Sequence, residues 1–141
     1  MGKPSKNLQN SKKIIYLSLD ELLIIHTDQI ERYGGSHGIR DIGLIESALY
    51  RPQSSFGGED LYSNIFDKGA VFVHSLLLNH GFVDGNKRTA IASLLVFLML
   101  NGLRLEVEQD ALITFALSIA NKQMVPKDIS SWVQKHSRSI E

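Results

Sequence analysis

A bundle of α-helices around a buried central helix, an all-α fold class, is what this sequence predicts, and three observations predict it. Apolar residues recur at three- and four-residue spacing through most of the chain, helix-capping residues punctuate those runs, and residues 90–100 are apolar almost throughout. The last run is too short for a bilayer, which takes about 20 residues, so it reads as a buried helix. At 141 residues, with 43% hydrophobic and 21% charged side chains, the chain supports one domain with a proper core.

The elements follow in order. Lys3, Lys6, Lys12 and Lys13 sit among Asn, Ser and Gln without an apolar stretch, so residues 1–13 read as a polar basic tail, a candidate for disorder, and not as a secretion signal. Ser18 with Glu21 three residues on forms a capping box, which opens a helix through Arg32 that Gly34 and Gly35 terminate. Asp41 begins a short helix to about Tyr50. From Arg51 to Ser63, Pro52, the Ser54-Ser55 pair and Gly57-Gly58 break the periodicity, which predicts a loop or short hairpin. From Leu61, the positions Ile65, Phe66, Ala70, Val73, Leu76 and Leu77 mark a helix that delivers the chain to His80.

Asn86 is the expected N-cap of the central helix, and Asn101-Gly102 its C-terminal stop. Leu103, Leu105 and Val107 alternate with charges, which suits a brief extended stretch. Helices over 109–121 and 126–136 complete the domain, the second opened by Pro126. The domain is expected over 14–137, with 138–141 a C-terminal tail. Trp132 reads as core or interface and His74 as a packing residue, whereas His26, His37 and His136 have no partner that the sequence names.

Chemistry concentrates in residues 80–88, His-Gly-Phe-Val-Asp-Gly-Asn-Lys-Arg. Lys87 and Arg88 fall in a first helical turn, where the helix dipole disfavours cations by roughly 0.3–1 kcal/mol each, so a bound anion is expected to reverse the sign. Each residue alone is more often a turn or surface feature; the cluster is the signal. A P-loop is excluded, because Asn86 and Arg88 flank the lysine where Gly and Ser or Thr are required. Zinc is poorly supported, since the chain has no cysteine and the cluster offers only His80 and Asp84. Magnesium fits better, held by one carboxylate together with substrate phosphates and water. With 15 basic and 15 acidic side chains the net charge is zero, which leaves no electrostatic footprint for direct nucleic-acid binding. The absence of cysteine fits a reducing cytoplasm.

The pattern His80-x-Phe-x-Asp84-x-Asn86-Lys87-Arg88 resembles the signature of the Doc (death on curing) toxins, the branch of the Fic fold that carries Lys where the ordinary Fic motif has Gly. Arg32-Tyr-Gly-Gly35, the segment from Gly38 to Leu49, Phe56-Gly-Gly58 and the segment from Asn79 to Ala90 resemble Doc segments in the same order, over about residues 14–137. The resemblance implies the all-α Fic/Doc fold and a toxin of a toxin-antitoxin system. Fic adenylyltransferases resemble His-x-Phe-x-x-Gly-Asn-Gly-Arg-x-x-Arg; here Lys87 replaces the second Gly and Ile91 the last Arg. In the family both changes argue against AMP transfer and for a kinase that presents the ATP gamma phosphate to a hydroxyl, a threonine of elongation factor Tu, so arresting translation. A Fic-type adenylyltransferase and a catalytically idle Fic-fold binding module are the alternatives.

Phosphoryl transfer needs positioning, charge neutralisation and a proton acceptor. On that basis His80 is the general base, Asp84 the Mg2+ ligand, and Gly85, Asn86, Lys87 and Arg88 the phosphate-binding set, with Lys87 and Arg88 neutralising developing charge. Thr89 either caps, touches phosphate or bonds locally. The resemblance makes Ser55, Phe56, Gly57 and Gly58 a flap that pins an extended segment of the target by strand addition, with Phe56 either covering the site or filling the core. Mg2+ and ATP are the implied cofactor and co-substrate. Elongation factor Tu and an antitoxin with a disordered tail are the implied partners, with no membrane association.

Overall fold

A computed structural model describes residues 13–140. The described chain is mostly helical: α1 (Leu19–Tyr33), α2 (Ile42–Tyr50), a 3-10 turn (Arg51–Gln53), β1 (Ser55–Phe56), β2 (Glu59–Asp60), α3 (Ile65–Asn79), α4 (Asn86–Leu100), β3 (Leu103–Leu105), α5 (Gln109–Ala120), α6 (Pro126–His136) and β4 (Ser137–Ser139). The all-α class holds, with two small antiparallel ribbons attached.

The capping residues do what their chemistry predicts at α1 and α2. Ser18 Oγ accepts from the Glu21 amide at 3.1 Å while Glu21 Oε1 accepts from the Ser18 amide at 2.8 Å, and Asp41 Oδ1 accepts from the Leu44 amide at 3.2 Å. The third helix starts later than its apolar pattern suggests. Asn64 caps it by accepting from the Asp67 amide, so residues 61–64 belong to the loop.

The helix with the most complete burial is α3, which packs against α2, α4, α5, α6 and the 3-10 turn. Helix α4 shares the centre but buries one face through Ala90, Leu94, Phe97 and Leu98. Its apolar opposite side lines a groove, and Met99 and Leu100 reach the surface, so an apolar run all round the helix does not mean burial all round.

Helix α6 is fastened to α3 by Ser130 Oγ donating to Asp67 Oδ1 at 2.6 Å, and to α5 by Trp132 stacked on Phe115 with centroids 3.8 Å apart. Trp132 is therefore a packing residue, and His136 closes the stack, its Nδ1 bonded to the Trp132 carbonyl. The expected extended stretch is β3, paired antiparallel with β4 in the register Leu103↔Ser139, Arg104↔Arg138, Leu105↔Ser137. Residues 138 and 139, expected as tail, are thus tied into the fold. Arg104 and Arg138 face each other, and Glu106 lies 2.8 Å from one and 3.5 Å from the other, offsetting the like-charge contact. The basic tail over 1–13 lies outside the described residues except for Lys13. Among the described residues no helix is long and apolar enough to cross a membrane.

Candidate functional site

Residues 80–86 turn the chain from α3 into α4, and the turn is built on strong local restraints. His80 ends α3 in the left-handed region, at φ 50°, a conformation uncommon for a side-chain-bearing residue. Arg40 secures that end: its Nε donates to the His80 carbonyl at 2.6 Å and its Nη2 to the Asn79 carbonyl at 2.9 Å, placing a cation on the negative end of the helix. The backbone of 38–41 then runs alongside the loop. Arg40 and Asp41 amides donate to the Gly81 carbonyl, the Val83 amide donates to the Gly38 carbonyl, and Ile39 bridges Phe82. The His80 imidazole is left on the exposed side of this framework.

Phe82 is the anchor. It is buried, and the ring of His26 from α1 lies flat on it with centroids 3.8 Å apart. His26 is itself only 4% exposed and its Nε2 sits 2.8 Å from the Asp84 carbonyl. A carbonyl only accepts, so Nε2 carries the proton. Burial pushes the His26 imidazole below its ordinary range, against the opposing pull of that hydrogen bond. His26 is one of the three histidines the sequence left without a partner; its signal, a histidine on the apolar face of an amphipathic helix, does not name one.

Asp84 stands in the open with its carboxylate oriented by two backbone amides, Ser36 on Oδ2 at 3.1 Å and Gly85 on Oδ1 at 2.8 Å. These amides hold the group below the ordinary carboxylate range. A Cβ on Gly35, whose φ is +115°, would lie 2.7 Å from Asp84 Oδ2, so the second glycine of Arg32-Tyr-Gly-Gly35 makes room for the carboxylate. No group of three or more His, Cys, Asp or Glu clusters among the described residues, which excludes a closed protein cage for a metal there. A single oriented carboxylate suits Mg2+, which takes most of its ligands from phosphates and water.

Two expectations at the start of α4 need correction. The N-cap is Gly85, at φ 75°, and Asn86 is the first helical residue. The Asn86 amide is spent within the loop, Oδ1 accepting from the Phe82 amide at 3.0 Å and Nδ2 donating to the Phe82 carbonyl at 2.9 Å, so its side chain shapes the cradle instead of lining it. Arg88 also has structural duties. Its Nη1 and Nη2 donate to the Gln29 and Gly34 carbonyls at the end of α1, at 3.1 and 2.8 Å, and it lies over the Tyr33 ring. Only part of its donor fork remains for an anion. Lys87, by contrast, is exposed and makes no ion pair among the described residues. Thr89 is buried and its hydroxyl has no partner among them, so it neither caps nor faces the loop's open side.

The N-terminus of α4 thus differs from those of α1, α2 and α3. Those three each have a side-chain cap, whereas α4 has none and carries two cations with no acidic residue in its first turn. Its free amides and positive dipole end suit an anion. Beside it runs an apolar groove of about 510 Å³ between α1, α4 and α5, lined by Gln29, Tyr33, Lys87, Arg88, Ile91, Leu95, Leu112, Ile113 and Leu117.

The segment 55–60 is a hairpin with the register Ser55↔Asp60 and Phe56↔Glu59. Gly57 and Gly58 both have positive φ, 60° and 84°, as a tight two-residue hairpin turn requires. Phe56 is 82% exposed, so it does not fill the core.

Residues 16–98 match the Fic/DOC family. The chain belongs to the Fic/DOC family. The toxin Doc of Mycolicibacterium smegmatis (strain ATCC 700084 / mc(2)155) is 45% identical over 78 residues, which cover 55% of this chain and 60% of that protein. The protein kinase doc of Escherichia phage P1 is 36% identical over 89 residues, 63% of this chain and 70% of that protein. The matched span takes in the loop over 80–88, the hairpin over 55–60 and α1, which carries His26.

Proposed function

We propose that this protein is the toxin of a toxin-antitoxin pair, a Doc-type protein kinase that transfers the gamma phosphate of ATP to a hydroxyl of a translation protein, a threonine of elongation factor Tu being the expected acceptor. The observation that carries the reading is the uncapped, acid-free N-terminus of α4 with Lys87 and Arg88 in its first turn, next to His80 and the oriented Asp84 carboxylate. The relatives named toxin Doc and protein kinase doc support it.

In this reading the α4 amides receive the phosphates and Lys87 supplies a positionable charge for the transferred group. Arg88 adds charge from a side chain already braced on α1. The His80 imidazole accepts the hydroxyl proton as the oxygen attacks phosphorus. Asp84 would hold Mg2+, which neutralises phosphate charge. Asn86 serves through the loop backbone. Ile91 lines the apolar groove and offers no charge to a phosphate, in keeping with transfer of phosphate and not of AMP.

The same groove suits the antitoxin. Its apolar walls between three helices match the apolar face of an antitoxin tail that folds on binding. The flap hairpin, with Phe56 standing out into solvent, would take the extended target segment. A growth assay tests the reading: induced expression in a bacterial host without the antitoxin is expected to arrest growth, and His80→Ala to relieve it. Equal arrest by both proteins would favour an idle binding module that acts by capture.

A further inference from the structure

Lys68, in the first turn of α3, is 2% exposed, the deepest cation among the described residues. An ammonium withdrawn from water needs partners, and a cation near a helix N-terminus is electrostatically misplaced besides. Its partners are the two feet of the flap. Nζ donates to the Pro52 carbonyl at 3.1 Å, just ahead of β1, and lies 3.4 Å from Asp60 Oδ2 at the end of β2, with the Tyr16 ring centroid 5.6 Å away.

The 3-10 turn at the first foot is also fastened to α3, through buried Pro52 and through Arg51 Nη1 donating to Ser75 Oγ at 2.8 Å, but beyond that turn little else holds the hairpin. Its ladder has two residue pairs, Phe56 is exposed, no side chain approaches Gly57 or Gly58, and the Leu61 amide bonded to the Ser54 carbonyl closes its base. A two-stranded ribbon of this size is not stable alone.

We propose that Lys68 is a positioning residue for the protein substrate: its buried ammonium clamps both feet of the flap, so that the exposed hairpin edge meets the target segment in one register. The clamp sets affinity for the target and leaves the rate of phosphoryl transfer alone, because Lys68 touches neither the 80–88 loop nor its supports. The substrate half of this inference rests on the kinase reading above; the clamp itself does not.

The test compares the full chain with Lys68→Met, which keeps the stem and removes the charge, and with Asp60→Asn, whose side chain is exposed and keeps an oxygen acceptor. Hydrogen exchange is followed over 52–62 and over 80–88, alongside steady-state transfer to the protein substrate. Faster flap exchange in both variants, by about tenfold in Lys68→Met, with exchange over 80–88 unchanged, is expected. So is a KM for the protein substrate raised about tenfold with kcat and the KM for ATP unmoved. Unchanged flap exchange in both variants overturns the clamp, as does a fall in kcat with the protein KM unmoved. If Lys68→Met exchanges faster everywhere, it has lost its fold and Asp60→Asn decides. If the wild-type protein transfers nothing, the kinase reading fails, and flap exchange alone decides the clamp.

Discussion

Asp84 and His26 form a small unit in which one backbone does two jobs. The carboxylate of Asp84 is aimed by the Ser36 and Gly85 amides, while its carbonyl is held by the buried His26 ring that also stacks on Phe82. Replacing His26 with Phe retains the stack but removes the N–H, so a chemical-denaturation curve should show a loss of about 1–2 kcal/mol, and transfer activity should fall with it. Undiminished stability and activity would remove His26 from the support of the loop. The pH dependence follows from direction alone. His26 and His74 both sit below the ordinary imidazole range when folded, His26 through burial and His74 through burial and the nearby Arg51. The unfolded chain therefore takes up their protons first. Their contribution is whole above pH about 6.5 and declines as pH falls from there through the lowered folded values. Asp84 acts in the same sense at lower pH, its contribution present above the ordinary carboxylate range and lost as pH falls through its lowered value. Melting curves at pH 7 and pH 5 should give the lower midpoint at pH 5, with a smaller difference in His26→Phe. None of these contacts was legible in the sequence, because the hydrogen-bond partners of His26 and Asp84 are backbone groups, which no residue type announces, and the Phe82 ring lies more than fifty positions from His26.

The helices were legible where their ends are chemical. Ser18 with Glu21, Asp41 and the Gly34 stop mark themselves, and the structure has caps at those places. At Asn86 the same logic misled, since an Asn before an apolar run is a good N-cap in general but here its amide is drawn back onto Phe82 by the shape of the loop. The ribbon β3–β4 shows the other failure. Ser-Arg-Ser has no alternation to read, and its pairing is supplied by residues more than thirty positions earlier. Helix α4 carries the site at one end and the core along one face. Leu94 is fully buried on that face, so Leu94→Ala should cost about 2–5 kcal/mol and lower the melting temperature by roughly 2–4 °C per kcal/mol. A midpoint within a degree of the parent would mean that α4 is not part of the shared core.

Across the molecule, a packed helical body built on α3 presents the loop with its carboxylate and imidazole and the apolar groove between α1, α4 and α5 at the start of α4, and the clamped hairpin at the N-terminal end of α3. The loop motif was legible because it is contiguous. The groove was not, since it is assembled from residues of three helices and only folding brings Tyr33, Ile91 and Leu117 to one surface. The kinase account proposed for these parts stands on which part of ATP moves. Intact mass spectrometry of elongation factor Tu after incubation with this protein, Mg2+ and ATP, with His80→Ala in parallel, tests it most directly. A gain of one phosphate, about 80 Da, confined to the wild-type reaction is the predicted result. A gain of one AMP, about 329 Da, would contradict the account by putting the alpha phosphate at the site of attack.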